Sequence, residues 1–338
     1  MIRIDLEKYK EFLSKKNIKK KNKELLIQYA ERLTNNNLPI IWDIRHFSII
    51  TDIPYKRILS YIYETEKFYH EIDIPKKRGG VRTLEIPSLE LKTLQRDILH
   101  ELLECINTSE QAYGFLKGKS IVDNARQHVG KRYILGIDIE NFFATINVDR
   151  IFKIFYYYGY TKEVSFMLSR IVCKDGYLPQ GAPTSPYLSN IVCRKLDRRL
   201  LGVAKKYGAT YTRYADDITF SGEIHPDVYV DLIKKIIVEE GFCINSNKTR
   251  ILGNNQRQEV TGIIVNKKVK VNKKYKEYLR QQIYYCNKYG IDSHLEKIGN
   301  NVTGFKEHMY GIANFIKMVE PDEGEKWINK LNEISWYY

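Results

Sequence analysis

The chain has 338 residues, 43% of them hydrophobic, which suits two or three packed subdomains, and it contains no apolar run long enough to span a bilayer. Its 55 Lys and Arg against 41 Asp and Glu give a net charge of +14, a footprint that favours a polyanion such as nucleic acid and that ribosome-associated and membrane-surface proteins share. The N-terminus (Met1-Ile2-Arg3-Ile4-Asp5) lacks the apolar stretch of a secretory signal, and the cysteines at 105, 173, 193, 243 and 286 form no close pairs. We therefore expect a protein of the reducing cytoplasm with no membrane partner and no structural zinc.

In chain order, residues 1–40 are expected to be helical, with the lysine-rich run from Lys15 to Lys23 as a solvated face. The segment Lys76-Lys77-Arg78-Gly79-Gly80-Val81-Arg82 is expected to form a basic hairpin whose Gly-Gly turn gathers cations over one place. A solvated basic turn is the plain alternative. Leu89, Leu91, Leu94, Ile98 and Leu102 recur at helical spacing and predict an amphipathic support helix over 88–106, capped by Ser88, with Leu91 facing the core. No repeat or low-complexity linker interrupts the chain. After about residue 265, Lys, Tyr and helical periodicity replace strand-like runs, marking a helical C-terminal part.

Four segments between these landmarks carry chemistry. The run from Tyr133 to Ile137 predicts a buried strand that delivers Asp138 at its end, ahead of Ile139-Glu140-Asn141-Phe142-Phe143; the same Asp could instead cap a following helix. Leu178-Pro179-Gln180-Gly181-Ala182-Pro183 reads as a loop made rigid by its prolines. Tyr214-Ala215-Asp216-Asp217 lies between the β-favouring runs Thr210-Tyr211-Thr212 and Ile218-Thr219-Phe220, so it is expected at a hairpin tip presenting two carboxylates. Asp pairs also populate turns for purely local hydrogen bonds. Nucleotidyl transfer, however, needs hard-cation ligands for two Mg²⁺ roughly 3.5–4 Å apart, and three carboxylates from adjacent strands answer that need. Ile244-Asn245-Ser246-Asn247-Lys248-Thr249 is a polar segment whose lysine, taken alone, would be surface.

In order and spacing, the Asp138 segment, the Leu178–Pro186 loop and Tyr214-Ala215-Asp216-Asp217 resemble the successive motifs of reverse transcriptases, over roughly residues 70–265. The resemblance implies an α+β right-hand polymerase fold with an antiparallel palm sheet, fingers and a helical thumb. It divides the chain into an N-terminal helical extension (1–45), fingers (46–130, with part near 150–185), palm (131–265) and thumb (266–338). It makes Asp138, Asp216 and Asp217 the metal carboxylates, assisted by the backbone carbonyl of Ile139, for two Mg²⁺ ions that Mn²⁺ could replace. Phe143 becomes the aromatic gate against a ribose 2′-hydroxyl, and Gln180-Gly181 borders the incoming deoxynucleoside triphosphate (dNTP). The implied triphosphate grip is Arg82 with Lys76 or Lys77, beside Arg78, Arg offering a bidentate fork and Lys a point charge. Lys248 matches the lysine that protonates the pyrophosphate leaving group.

Two short signatures, Asn124-Ala125-Arg126-Gln127-His128 and Val260-Thr261-Gly262, resemble the bacterial retron branch. That branch implies a cognate structured non-coding RNA, contacted through Asn124, His128, Val260, Thr261 and Gly262. It also implies priming from an internal guanosine 2′-hydroxyl, a branched RNA–DNA product (multicopy single-stranded DNA) and an effector protein in anti-phage defence. A buried His128 and a Gly262 that merely permits a tight turn are the structural alternatives. Lysines 267, 268, 270, 273, 274 and 276, interleaved with Tyr275, Tyr278, Tyr284 and Tyr285, would grip duplex, with about half of these tyrosines packing the part's own core. No second carboxylate cluster follows residue 265, so removal of template RNA is assigned to a host ribonuclease H. The rival readings are another prokaryotic reverse transcriptase, of intron or abortive-infection type, and a catalytically silent RNA-binding scaffold.

Overall fold

A computed structural model describes residues 6–17, 19–75, 79–299 and 304–336. The strands among them are β1 (Tyr69–Pro75), β2 (Val81–Pro87), β3 (Tyr133–Glu140), β4 (Thr210–Tyr214), β5 (Asp217–Gly222), β6 (Cys243–Ile244), β7 (Arg250–Gly253), β8 (Glu259–Val260) and β9 (Ile263–Ile264). All their pairings are antiparallel. The chain separates into two compact units that do not follow the four expected segments: one holds residues 1–115, 139–201 and 232–245, the other 116–138, 202–231 and 246–338.

The first unit is helical apart from the β1–β2 hairpin and the short pairing of Ile139 and Glu140 with Ile244 and Cys243. The expected N-terminal helix is two helices, Leu6–Ser14 and Lys20–Asn35, and the lysine-rich run straddles the break between them. The support helix spans Leu89–Glu101, with Leu91, Leu94 and Ile98 buried as their spacing predicts. Ser88 does not cap it through its side chain: its hydroxyl is buried without a partner, and its backbone N–H is committed to the Phe68 carbonyl.

The second unit is built on the sheet β4-β5-β3-β7. Strand alternation gives this sheet one apolar face, with Leu135, Ile137, Tyr211, Ile218 and Phe220 buried, and one polar face carrying Asp138, Thr212, Asp217, Thr219 and Ser221. A second core gathers Val260, Ile263, Leu279, Ile283, Met309, Ala313, Ile316, Trp327 and Leu331 beneath the helices Lys273–Tyr289, Ile291–Ile298, Phe305–Val319 and Pro321–Asn332. Tyr278 and Tyr285 are half-buried there, while Tyr275 and Tyr284 are exposed. Lys276 is turned inward onto Glu320 at 3.0 Å, which corrects its expected place among the phosphate contacts.

The two short signatures meet inside this unit. Thr261 (φ 47°) and Gly262 (φ 82°) form the two-residue turn between β8 and β9, where consecutive positive φ values match the twist of a hairpin. The Thr261 hydroxyl donates to the Ile121 carbonyl at 3.2 Å, and the Asn124 side-chain amide lies 3.5 Å from the same hydroxyl. Asn124, His128 and Val260 are buried, so the RNA contacts expected of their side chains are corrected to structural roles. Thr261 is half-buried, and Gly262 alone among the five is exposed.

The His128 ring nitrogens lie 2.7 Å from the hydroxyls of Ser221 and Thr212, tying the preceding helix to the polar faces of β5 and β4. Burial, aided by Lys131, pushes the imidazole down to about 3, so it folds as the neutral ring. The unfolded chain takes up this proton below about 6.5 and the folded one resists it, so stability falls as pH drops from 6.5 towards 3, by at most about 1.4 kcal/mol per pH unit from this group. Urea unfolding at pH 7, 5.5 and 4.5 checks this: His128→Gln, which cannot ionise, is expected to show a shallower loss than the parent. Equal slopes would remove His128 from this account.

Candidate active site

Local backbone geometry positions the two hairpin acids. Tyr214 pairs with Asp217, leaving Ala215-Asp216 as a two-residue turn with Ala215 at φ 57°. A residue with a β-carbon in that region costs free energy, and the fully buried Arg213 helps to hold it by donating to the Ala215 carbonyl at 3.1 Å. The turn therefore fixes Asp216 at the tip and Asp217 as the first residue of β5.

Register supplies the third acid. Asp138 stands directly opposite Asp217 across the β3–β5 ladder, so their β-carbons share a face at about 4.5–5.5 Å. Two like charges so placed repel. Although Asp217 as a residue is exposed, protein packed around its carboxyl, then the charges of Asp216 and Asp138, pushes it up to about 6 against the opposing pull of Arg250 and Lys248. Asp138, whose side chain is 9% exposed, takes both of its oxygens to the Lys248 ammonium at 2.9 Å. Lys248 itself is half-exposed on the short turn Ser246–Lys248.

Arg250 and Arg213 escaped the reading of the sequence. Arg250 on β7 pairs with Gly136, and a β-carbon at Gly136 would sit 3.3 Å from the Arg250 Nε. The guanidinium stem thus lies across the strand on the side of Asp217. A glycine inside an otherwise branched, apolar strand is the signal that could have announced it, since such glycines mark close approach of another group. Arg213 had no comparable signal.

The remaining expected site residues lie in the first unit. Phe143 is half-buried against Phe142 and Phe115, with ring centroids 5.4 and 6.3 Å away, and follows Asn141, whose φ is 49°. Ile139 is buried and pairs with Ile244. The Gln180 backbone makes two hydrogen bonds with Glu85 of β2: its carbonyl accepts from the Glu85 N–H at 2.9 Å, and its N–H donates to the Glu85 side-chain carboxylate at 3.3 Å. Gly181, at φ 144°, would place a β-carbon 2.5 Å from the Glu85 carbonyl oxygen, so only glycine closes this junction. Arg82 is exposed near the tip of the hairpin; Lys76, Lys77 and Arg78 lie outside the described residues.

The donor chemistry fits a hard divalent cation, because three carboxylates crowd one end of the sheet and a cation would offset both the burial and the like charges that raise Asp217. The arrangement is not a closed cage. Among the described residues no three His, Cys, Asp or Glu side chains converge tightly enough to hold an ion together, and Lys248 already neutralises Asp138. Binding a cation on all three acids requires the lysine to leave Asp138 and the tip carboxylates to close in.

Comparison with known proteins agrees with this geometry. Residues 74–298 match the family model described as reverse transcriptase (RNA-dependent DNA polymerase). The chain is 36% identical over 316 residues to the Retron Ec86 reverse transcriptase of Escherichia coli, covering 91% of this chain and 94% of that one. It is 34% identical over 306 residues to the Retron Mx65 reverse transcriptase of Myxococcus xanthus, with 84% and 66% covered, and 30% identical over 288 residues to the Retron Ec83 reverse transcriptase of Escherichia coli, with 79% and 90% covered. With two strands bringing Asp138 and Asp217 face to face and a tight turn setting Asp216 beside them, the chain belongs to the reverse transcriptase family, with retron enzymes as its relatives, and is an RNA-directed DNA polymerase.

Proposed function

We propose that this polymerase copies a cognate structured RNA into DNA from an internal guanosine 2′-hydroxyl, leaving a branched RNA–DNA product, and that it serves in anti-phage defence beside a separate effector protein. The observation that carries the chemical core of this reading is the facing of Asp138 and Asp217 across β3 and β5, with Asp216 at the adjoining turn. The support for the retron part is the identity to retron enzymes over most of the chain and the two short signatures joined at Thr261.

In this reading Asp138, Asp216 and Asp217, with the Ile139 carbonyl, would hold two Mg²⁺ ions, which when bound would supply Lewis-acid stabilisation of the attacking hydroxyl and of the leaving pyrophosphate. The protein's own groups do the rest. Lys248 neutralises Asp138 in the resting enzyme; once freed, its ammonium can supply a proton to the departing pyrophosphate, help worth roughly a hundredfold or more in rate. Arg250 tempers the negative charge at Asp217 from β7, across β3. Arg82, with Lys76, Lys77 and Arg78, grips the triphosphate, and Gln180-Gly181 borders the nucleotide. Phe143 occupies the volume a 2′-hydroxyl would need. The substrates are dNTPs, and host ribonuclease H removes template RNA. No helix among the described residues is long and apolar enough to cross a membrane, and we place the enzyme in the cytoplasm.

Two measurements test this assignment. Asp216→Asn removes an anionic ligand while keeping side-chain size, so RNA binding is expected to persist and Mg²⁺-dependent primer extension to fall by at least about a thousandfold. Extension near the parent rate would overturn the metal-ligand role. Phe143→Val is expected to admit ribonucleotides in competition assays against dNTPs, and unchanged sugar selectivity would remove Phe143 from its role as gate.

A further inference from the structure

The β1–β2 hairpin contains an electrostatic conflict that a residue from outside the hairpin relieves. Its register sets Glu71 directly opposite Glu85, on the same face, where two carboxylates repel. The Lys174 ammonium lies between them, 2.8 Å from Glu71 and 2.7 Å from Glu85, with Asp175 at 3.5 Å. Its side chain is 9% exposed and that of Glu85 28%, so solvent screens this contact less than an ordinary surface pair, while Glu71 and Asp175 stay exposed. The lysine is itself aimed by a tight turn: Lys174 and Tyr177 exchange both backbone hydrogen bonds at 2.9 Å, with Asp175 and Gly176 at positive φ between them.

The conflict bears on the site through Glu85. The oxygen of Glu85 not held by Lys174 accepts from the Gln180 N–H, the Glu85 backbone N–H donates to the Gln180 carbonyl, and Gly181 closes against the Glu85 carbonyl. Lys174 therefore anchors the carboxylate that anchors the Gln180-Gly181 loop, all within one compact unit. Without the ammonium, Glu85 would turn from Glu71 towards solvent and release the loop on its side-chain edge. Lys174 reaches the nucleotide only through this relay.

We propose that Lys174 is a positioning residue for the incoming dNTP: through Glu85 it sets the Gln180-Gly181 loop against the hairpin that carries Arg82. The inference rests on the reading of Gln180 and Arg82 as nucleotide contacts. It predicts an effect confined to nucleotide affinity, because the relay ends on a loop bordering the nucleotide.

The test is steady-state primer extension by the full-length chain on an RNA template, with template–primer affinity and thermal midpoint measured alongside. Lys174→Met is expected to raise KM for dNTP about tenfold, with kcat and template–primer affinity within about twofold of the parent. Lys174→Arg is expected to recover most of the loss, Glu85→Gln to reproduce it, and the Lys174→Met/Glu85→Gln double variant to be no worse than either alone, as for two groups acting in series. Should Lys174→Met fail to fold, Glu85→Gln against Lys174→Arg decides the question. A KM within about twofold of the parent in both Lys174→Met and Glu85→Gln overturns the inference. So does a joint loss, with KM raised and kcat, template affinity and thermal midpoint all lowered, that arginine does not relieve. Gln180→Ala separates this failure from that of the underlying reading: if it leaves KM unchanged, the loop does not border the nucleotide; if it raises KM while the other variants do not, only the relay through Lys174 is wrong.

Discussion

Charge repulsion between Asp138 and Asp217 is the constraint around which the second unit is arranged. The antiparallel register forces the two carboxylates onto one face, and the turn at Ala215 adds a third from Asp216. A protein that only needed to fold would not gather three acids there. The surrounding structure manages the repulsion with cations drawn from the strand region just downstream, Lys248 on Asp138 and Arg250 beside Asp217, and it lets Asp217 rise towards neutrality. A divalent cation would replace that makeshift compensation with a stronger one, and among the described residues the resting arrangement is not a preformed cage.

The same logic of opposed charges recurs in the first unit, at lower intensity. Glu71 and Glu85 face each other across the hairpin as Asp138 and Asp217 do across the sheet, and in each place a lysine from a distant part of the sequence answers, Lys174 to both facing carboxylates and Lys248 to that of Asp138. The difference is burial and occupancy. Lys174 is enclosed by its partners and held by three carboxylates, whereas Lys248 is half-exposed on a short turn and engages one. The first is tightly held, and the second is more open to solvent.

What the sequence made legible follows from what is local. The hairpin tip at Ala215-Asp216, the strand that carries Asp138, although it runs on to Glu140, and the apolar face of the helix at 89–101 all come from local sequence patterns. The register that sets Asp138 opposite Asp217, the Arg250 stem over Gly136 and the Lys174 brace do not, because each depends on pairing between segments far apart in the chain. The short signatures show the limit most clearly. Asn124, His128 and Val260 read as an RNA surface by resemblance, yet their side chains pack inward, where His128 satisfies two hydroxyls and Asn124 approaches Thr261 at the turn. In this chain the two signatures form an internal scaffold around an exposed Gly262 tip. Ser88 teaches the same lesson in reverse: it stands at the helix start as expected, but its hydroxyl makes no capping bond.

The central claim is that the acids on β3 and β5 synthesise DNA on an RNA to which that DNA becomes joined. The most direct measurement is to purify the chain, expressed with the RNA of its own operon, as the parent and as Asp217→Asn, and to sequence the co-purifying nucleic acid before and after cleavage of 2′–5′ branches. The account predicts a discrete single-stranded DNA branched from a structured RNA in the parent, and the same RNA without DNA in the variant. DNA of equal amount in both, or RNA in the parent that extends ordinary primers yet never carries a branch, would contradict it.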